Sequence, residues 1–350
     1  MKELEQIIEP LLEWFQKNKR SLPWRSDPTP YHVWISEIML QQTRVEAVKE
    51  YYKRFLNRLP DIPSLAQVEE KELLKLWEGL GYYNRARNLK KAAIMIEEKY
   101  QGVIPNSYEE LMTLPGIGSY TAGAISSIAY KEKVPAVDGN VLRVLMRILG
   151  CKKNIDEPKT KKWLEEELRN IMPKDASSFN QALMEIGALV CVPNGEPHCE
   201  HCPLKKQCQA YQKELILEIP VRKEKRKRKI EKKTILIFYS KGKVAIQKRK
   251  EKGLLAGLYE FPNEDRYFTK KELLQYLKEK RIEAIKIKEL EEAKHIFSHI
   301  EWHMKAYQIQ LDDFSVLGEY LWADLKDLNN EYAIPSAFST YLELVKEKIE

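Results

Sequence analysis

Four things are scarce or missing in this sequence, and each absence narrows what the chain can be. No run of about 18 apolar residues occurs, so no membrane-spanning helix is expected. The start, MKELEQIIEPLLEWF, is acidic and amphipathic and lacks the plan of a secretory signal. A cytoplasmic protein with reduced thiols is therefore expected. Cysteine is sparse, five in 350 residues, and only one CxxC pair occurs where a zinc site usually shows two. Excess positive charge is also missing, except in one place. The net charge is +7, and residues 222–233, RKEKRKRKIEKK, hold nine basic and two acidic residues, which accounts for all of it. The chain does not read as uniformly basic. It carries one basic segment, a linker by composition, whose charge raises non-specific DNA affinity in a salt-dependent way. The rest is 43% apolar and 32% charged, the composition of a soluble globular protein long enough for two cores.

What is present centres on Leu114–Asn140, LPGIGSYTAGAISSIAYKEKVPAVDGN. Leu114-Pro115-Gly116-Ile117-Gly118 is a tight glycine hairpin, and Ser119 starts a small-residue helix to about Tyr130. Upstream, Ser107 and Glu110 have the spacing of a capping box. Helix, hairpin and helix together form an anion site. Gly116 and Gly118 allow close backbone approach, and Ser119 opens a helix with its positive dipole end. Such a site positions a phosphate without reading sequence. A helical hairpin packed for stability alone is the plainer alternative.

Four further features could carry chemistry. A helix over Tyr31 to about Leu40 is apolar almost all round, with Glu37 in its middle. Burial there raises the carboxyl pKa, which suits a general acid near neutral pH, unless an arginine pairs with it. Asp138, in Val137-Asp138-Gly139-Asn140, precedes a helical run and could cap it, stabilise developing positive charge, or do both. Gly79-Leu80-Gly81-Tyr82-Tyr83 is a tight turn carrying two aromatics, whose faces can stack on bases. Cys191, Cys199, Cys202 and Cys208 cluster within 18 residues. Four thiolates suit a [4Fe–4S] cluster or Zn²⁺. Cys151 reads as a buried structural thiol.

LPGIGSYTAGAI followed by VDGN resembles the helix-hairpin-helix plus Gly/Pro-Asp motif of base-excision glycosylases related to endonuclease III. PWR at 23–25, SEIMLQQTRV at 36–45, LWEGLGYYNRARNL at 76–89, the four cysteines and FSH at 297–299 narrow the resemblance to the MutY-type adenine DNA glycosylases. It spans nearly the whole chain. The resemblance implies that Glu37 protonates the leaving adenine and that Asp138 stabilises or attacks the resulting sugar cation, with Asn140 hydrogen-bonded in the site. Trp24 and Arg25 would stand at the mouth of the adenine pocket, although a packed aromatic and a surface charge would look the same. Gln41, Gln42 and Thr43 would wedge into the base stack as the adenine is extruded. Gln181 would read the adenine edge, if it is not merely a polar helix face. Tyr82 would stack beside 8-oxoguanine. Tyr120 stands where bifunctional relatives hold a lysine that forms a Schiff base, so base removal without strand cleavage is implied; the alternative is a core aromatic. The cysteines would hold a [4Fe–4S] cluster, although the family spacing x6-x2-x5 is x7-x2-x5 here. His198 and His201 are expected to face solvent.

From Thr234 the apolar period changes to 2. TILIFY and KVAIQKR flank Ser240-Lys241-Gly242 as a hairpin. A helix near 269–281, strands near 284–289, 294–299, 302–311 and 317–323, and a helix from about 335 give an α+β unit. It resembles the Nudix-like domain of the same family. The catalytic Nudix box is absent, KKELLQYLKEK standing in its place, so recognition rather than pyrophosphate hydrolysis is implied. Phe297, Ser298 and His299 match the family's 8-oxoguanine reader. The expected architecture is multi-domain: an all-α helix-hairpin-helix glycosylase core with an iron–sulfur cluster loop (1–212), a basic linker (213–233), and an α+β Nudix-like domain (234–350). The expected partner is double-stranded DNA with A·8-oxoguanine or A·G mispairs, bound by a monomer. A thymine glycosylase, a glycosylase/lyase and a non-catalytic damage-binding module are the rival readings.

Overall fold

The computed structural model describes residues 2–224, 227–313 and 317–349. It separates into two compact units. One comprises residues 1–68 and 88–224, the other residues 69–87 and 225–350. None of the described helices is long and apolar enough to cross a membrane.

The first unit is helical. Helix α1 (Ile8–Asn18) is separated from a short turn, Lys2–Glu5, at Gln6-Ile7. Pro10 explains the break of the expected 1–20 helix, because its ring clashes with the carbonyl four residues back. Helix α2 (Pro30–Leu40) starts on Thr29, whose side chain accepts from His32 N. It buries Val33, Trp34, Ile35, Ile38 and Met39 together with Glu37. Helix α3 (Ser119–Ala124) continues as a π-turn over Ile125–Ala129, where an α-helix to about 130 was expected. Helices α4 (Gly139–Ile148), α5 (Pro158–Ile171) and α6 (Ala176–Leu189) follow. Leu11 and Phe15 of α1, Val141 and Leu145 of α4, Leu164 of α5, and Phe179, Leu183 and Ile186 of α6 share one core.

The π-turn packs closely against a second segment. A Cβ on Gly123 would lie 2.2 Å from the Pro135 carbonyl oxygen, so only glycine lets the two backbones meet. Fully buried Asn180 ties them together. Its Oδ1 accepts from Ala136 N at 3.0 Å, and its Nδ2 donates to Ser127 Oγ and Val134 O, each at 2.8 Å. Upstream, Ser107 Oγ accepts from Glu110 N, which is one half of the expected capping box, and its hydroxyl donates to Glu109.

The second unit is a mixed sheet. Strands β1 (Lys229–Ser240), β2 (Lys243–Lys248), β3 (Tyr259–Glu260), β4 (Asn263–Glu264), β5 (Lys286–Ile296), β6 (Ile300–Gln310) and β7 (Leu321–Ala323) run in the order β3-β2-β1-β6-β5, with β4 on β1 and β7 on β2. β1 and β6 are parallel. Helices α7 (Lys270–Glu279) and α8 (Ser339–Ile349) are the longest helices wholly within the unit, which also holds the shorter helices Glu70–Leu76 and Leu325–Asn330. The two strands expected over 284–299 are one strand with an irregular register between Leu290 and Ala293, and residues 297–299 form the turn after it. The strand expected over 317–323 shrinks to β7, and α8 begins only after the 3₁₀ turn Ser336–Phe338 that follows Pro335.

Glu69–Arg87 belongs to this unit, and its polar contacts say why. Lys75 Nζ donates to the Leu328 and Tyr332 carbonyls, Ile334 N donates to Glu78, and Arg87 donates to the Ala256 carbonyl. Little of the expected linker is a free spacer. Ile219 is buried in the helical core, Ile155 N donates to the Val221 carbonyl, and Lys229–Lys233 already form β1. Lys225 and Arg226 lie outside the described residues.

Replacing Asn180 by Ala strips three partners from buried groups. We expect a loss of roughly 3 kcal/mol of unfolding free energy, read from urea denaturation. An unchanged midpoint would contradict this account of the π-turn.

Candidate active site

A cavity of about 170 Å³ in the helical unit gathers eight of the candidate residues. Its lining includes Trp24, Arg25, Glu37, Thr43, Tyr120, Asp138, Asn140 and Gln181. Glu37 is only 5% exposed, because the helix that carries it is apolar on nearly every face. Burial pushes its pKa up to about 7. A hydrogen bond donated by the Tyr120 hydroxyl opposes the rise, and the nearby Asp138 charge adds to it. The same hydroxyl lies 3.7 Å from Met184 Sδ, so Tyr120 is held between two groups of the site. Among the described residues no lysine lines the cavity.

Asp138 caps α4. One carboxylate oxygen accepts from Val141 N and the other from Asn140 Nδ2, each at 2.8 Å. Burial raises this carboxyl too, and the two N–H donors work against the rise. The two carboxyls thus differ in kind. Glu37 has a single O–H donor in an apolar setting, whereas Asp138 has two N–H donors at a helix start, which favours its charged form. Asn140 is held from behind, its Oδ1 accepting from Arg143 at 3.0 Å, and Arg143 also donates to the Gly187 and Cys191 carbonyls.

Two side chains of the site, Arg20 and Glu185, were not singled out in the sequence. Glu185 is buried at 1% exposure and receives Arg20 Nη2 at 2.8 Å and Arg25 Nη2 at 2.9 Å. Burial opposes its ionisation, yet the bonds from Arg20 and Arg25 outweigh it and hold the carboxyl down at about 2. Arg25 also donates from Nε to Gln181 Oε1 at 3.1 Å. It is therefore not a loose surface charge. Trp24 is buried edge-on against Tyr52, with ring centroids 5.4 Å apart. The available signal was spacing: Gln181 and Glu185 stand four apart on one helix and so share a face.

Around the cavity, Gln42 is exposed and adopts φ of 61°, uncommon for a residue with a side chain, while Thr43 N bonds back to the Leu40 carbonyl. In the hairpin Gly116 has φ of 79°, and a Cβ there would meet Asn88 Cβ at 2.7 Å. A Cβ on Gly118 would meet nothing within 4 Å, so that face of the hairpin is open. The Ser119 hydroxyl is already committed, donating to Glu165 and accepting from Lys161 at 2.8 and 2.9 Å, which brings an ammonium group to the hairpin.

Cys191, Cys199, Cys202 and Cys208 are all free thiols. Burial pushes the Cys202 thiol up to about 12, with the other three cysteines adding to the rise. The four are thus close enough to sense one another, and their soft donor chemistry fits an iron–sulfur group. Among the described residues no three His, Cys, Asp or Glu side chains are placed to hold a single metal ion. The extra residue lies in an exposed turn in which Gly195 has φ of 73°. His198 and His201 are exposed.

Tyr82, Phe297, Ser298 and His299 lie in the other unit and do not line the cavity. Tyr82 is half-exposed with φ of 47°, and its hydroxyl sits 2.9 Å from Ser298 Oγ. Phe297 packs edge-on against His295 and Trp302. Arg85, a residue that by position could have met phosphate, is instead turned inward to the Leu80 and Gly81 carbonyls. Burial pushes its pKa down to about 10, against the opposing pull of Tyr82.

Residues 35–174 match the family described as HhH-GPD superfamily base excision DNA repair protein, and residues 234–344 match the NUDIX domain. The chain is 37% identical over 343 residues to the adenine DNA glycosylase of Buchnera aphidicola subsp. Schizaphis graminum (strain Sg), covering 96% of this chain and 97% of that one. The adenine DNA glycosylase of Homo sapiens is 33% identical, over 86% of this chain and 66% of its own length. Both alignments are long enough to include parts of both units. A solved thermostable thymine-DNA glycosylase superposes with a TM-score of 0.56 at 30% identity, over 61% of this chain and 98% of its own. A trapped endonuclease III–DNA covalent intermediate gives 0.53 at 27%, over 61% and 98%. These two structures account for no more than 61% of the chain.

The raised Glu37 pKa has a consequence for stability. The folded carboxyl titrates near 7 and the unfolded one near 4.5. Between these values the folded protein keeps a proton that the unfolded chain releases, so stability falls as pH rises through that window, and the full cost remains above it. Glu37→Gln should stabilise the fold by roughly 2–3 kcal/mol at pH 8 and by little at pH 4.5. Urea titrations at both pH values check this; a gain equal at both, or none, would contradict it.

Proposed function

Because the chain belongs to the adenine DNA glycosylases, a family of base-excision repair enzymes, we propose that it excises adenine mispaired with 8-oxoguanine, or with guanine, and leaves the strand uncut. The observation that carries this reading is the meeting of Glu37, Tyr120 and Asp138 in one cavity that no lysine lines. The adenine must first leave the base stack, with Gln41, Gln42 and Thr43 filling the space it vacates. Glu37, neutral below about pH 7, gives its proton to the base as the N-glycosidic bond breaks. The bonding electrons leave with the adenine, and positive charge develops on the sugar. In its charged form Asp138, held by Val141 N and Asn140, stabilises that charge or attacks C1′ to form a covalent intermediate that water then opens. Schiff-base chemistry needs an amine, which Tyr120 does not offer.

Tyr82, Phe297, Ser298 and His299 would read the 8-oxoguanine. An exposed tyrosine ring offers a stacking face and a serine hydroxyl a hydrogen-bond partner. Gly116, Gly118 and Ser119 would hold a backbone phosphate, with Lys161 beside them. Cys191, Cys199, Cys202 and Cys208 would hold a [4Fe–4S] cluster, which when bound cross-links the 191–208 loop. Lys205, paired with Glu200, stands on that loop. The working form would be a cytoplasmic monomer on duplex DNA.

The test is single-turnover reaction of a duplex carrying adenine opposite 8-oxoguanine, quenched with and without alkali. Strand breaks should appear only after alkali, and Glu37→Gln should slow their appearance by about 10³-fold. Breaks without alkali would mean that an amine acts as lyase nucleophile. Binding without any product would favour the damage-binding module, and release of thymine rather than adenine the thymine enzyme.

A further inference from the structure

Gln181 is held at both ends, and the chemistry at the two ends is opposite. At one end stands the Arg25 guanidinium, which can only donate; its Nε lies 3.1 Å from Gln181 Oε1. At the other end stands the Ser177 carbonyl, which can only accept, 3.4 Å from Gln181 Nε2, with Ser177 Oγ at 3.3 Å. Lys131 donates to that same hydroxyl at 3.4 Å, which further marks it as an acceptor. Oxygen toward Arg25 and nitrogen toward Ser177 is therefore the only orientation that satisfies both ends. A flipped amide would set N–H against N–H and oxygen against oxygen.

Arg25 in turn has no freedom to yield. Its Nη1 donates to the Arg20 carbonyl at 3.0 Å and to Glu185 Oε1 at 3.2 Å, and its Nη2 donates to Glu185 Oε2 at 2.9 Å. Arg20 grips the same carboxylate through Nε and Nη2, each at 2.8 Å. Glu185 is thus the buried anchor of the chain Glu185–Arg25–Gln181, and Gln181 lines the same cavity as Glu37.

We propose that Glu185, acting through Arg25, fixes the polarity of the Gln181 amide and thereby makes the cavity select a 6-aminopurine over a 6-oxopurine. This rests on the reading of the cavity as the place where adenine is received. An adenine presents a donor at N6 beside an acceptor at N1 or N7 and pairs with an amide offering oxygen to N6 and N–H to the ring nitrogen. A 6-oxopurine reverses the first of these, placing an acceptor where adenine has a donor. On its N1 edge it would need the flipped amide, which Arg25 forbids, and on its N7 edge, where both atoms are acceptors, neither orientation of the amide satisfies it. The second lone pair of Oε1 remains for the base, and the contacts of Nε2, at 3.3 and 3.4 Å, are long enough to be exchanged for a better one. Glu185 and Arg25 are positioning residues in this account.

The experiment measures single-turnover excision of adenine and of hypoxanthine, each opposite 8-oxoguanine, in the full-length protein. Wild type should prefer adenine. Arg25→Met and Glu185→Gln should each lower the adenine-to-hypoxanthine rate ratio by about tenfold or more, as should Gln181→Leu. A merely structural role would slow both substrates together and leave the ratio unchanged. If Gln181→Leu moves the ratio while Arg25→Met does not, the polarity lock is wrong and the adenine reading stands. If Gln181→Leu also leaves the ratio unchanged, Gln181 does not read the base and the lock falls with it. Absence of adenine excision by wild type would instead sink the proposed function. Should Glu185→Gln fail to fold, Arg25→Met decides alone, since it leaves the Arg20–Glu185 pair intact.

Discussion

A carboxyl group buried in an apolar helix is the constraint on which the helical unit depends. Glu37 occupies a helix whose other faces are taken by Val33, Trp34, Ile35, Ile38 and Met39, so no polar face exists on which to turn it outward. The Tyr120 hydroxyl and the Arg25 charge favour its ionised form, but burial outweighs them. The group stays neutral up to about pH 7 instead. A proton held that way is ready for transfer at neutral pH, and stability is given up to keep it.

Everything else in the site is arranged around that proton, and the arrangement depends on close backbone contacts. Tyr120 reaches Glu37 from the helix that follows the glycine hairpin. Asp138 reaches the same cavity from the start of the next helix. The chain between them runs through the π-turn and the approach of Gly123 to Pro135, and Asn180 satisfies the groups that approach buries. The second carboxyl is treated differently because it sits at a helix start, where N–H donors are plentiful. One fold therefore gives two buried carboxyls different partners, an apolar helix with a tyrosine hydroxyl for one and the N–H donors of a cap for the other, although burial raises both.

The parts of this that were legible in the sequence are those set by local pattern. The apolar run around Glu37 foretold its burial, LPGIG foretold the hairpin, Asp138 before a helical run foretold the cap, and period-2 alternation foretold β1 and β2. What depends on distant chain was not legible. Nothing near Arg20 or Arg25 announces Glu185, some 160 residues on. The π-turn is invisible because its cause is a carbonyl from another segment. Glu69–Arg87 reads as one more piece of a helical domain, yet its lysine, glutamate and arginine find partners among the carbonyls and amides of the sheet unit. Strand β5 looked like two strands because its register irregularity interrupts the alternation.

The most direct test of the central claim is the pH dependence of the single-turnover rate constant for adenine release, from pH 5.5 to 9, with enzyme saturating. A neutral Glu37 as proton donor predicts a rate that declines tenfold per pH unit above an apparent pKa near 7. A rate that is flat or rises from pH 6 to 9 would contradict it, and would mean that the proton reaches the adenine from some other group.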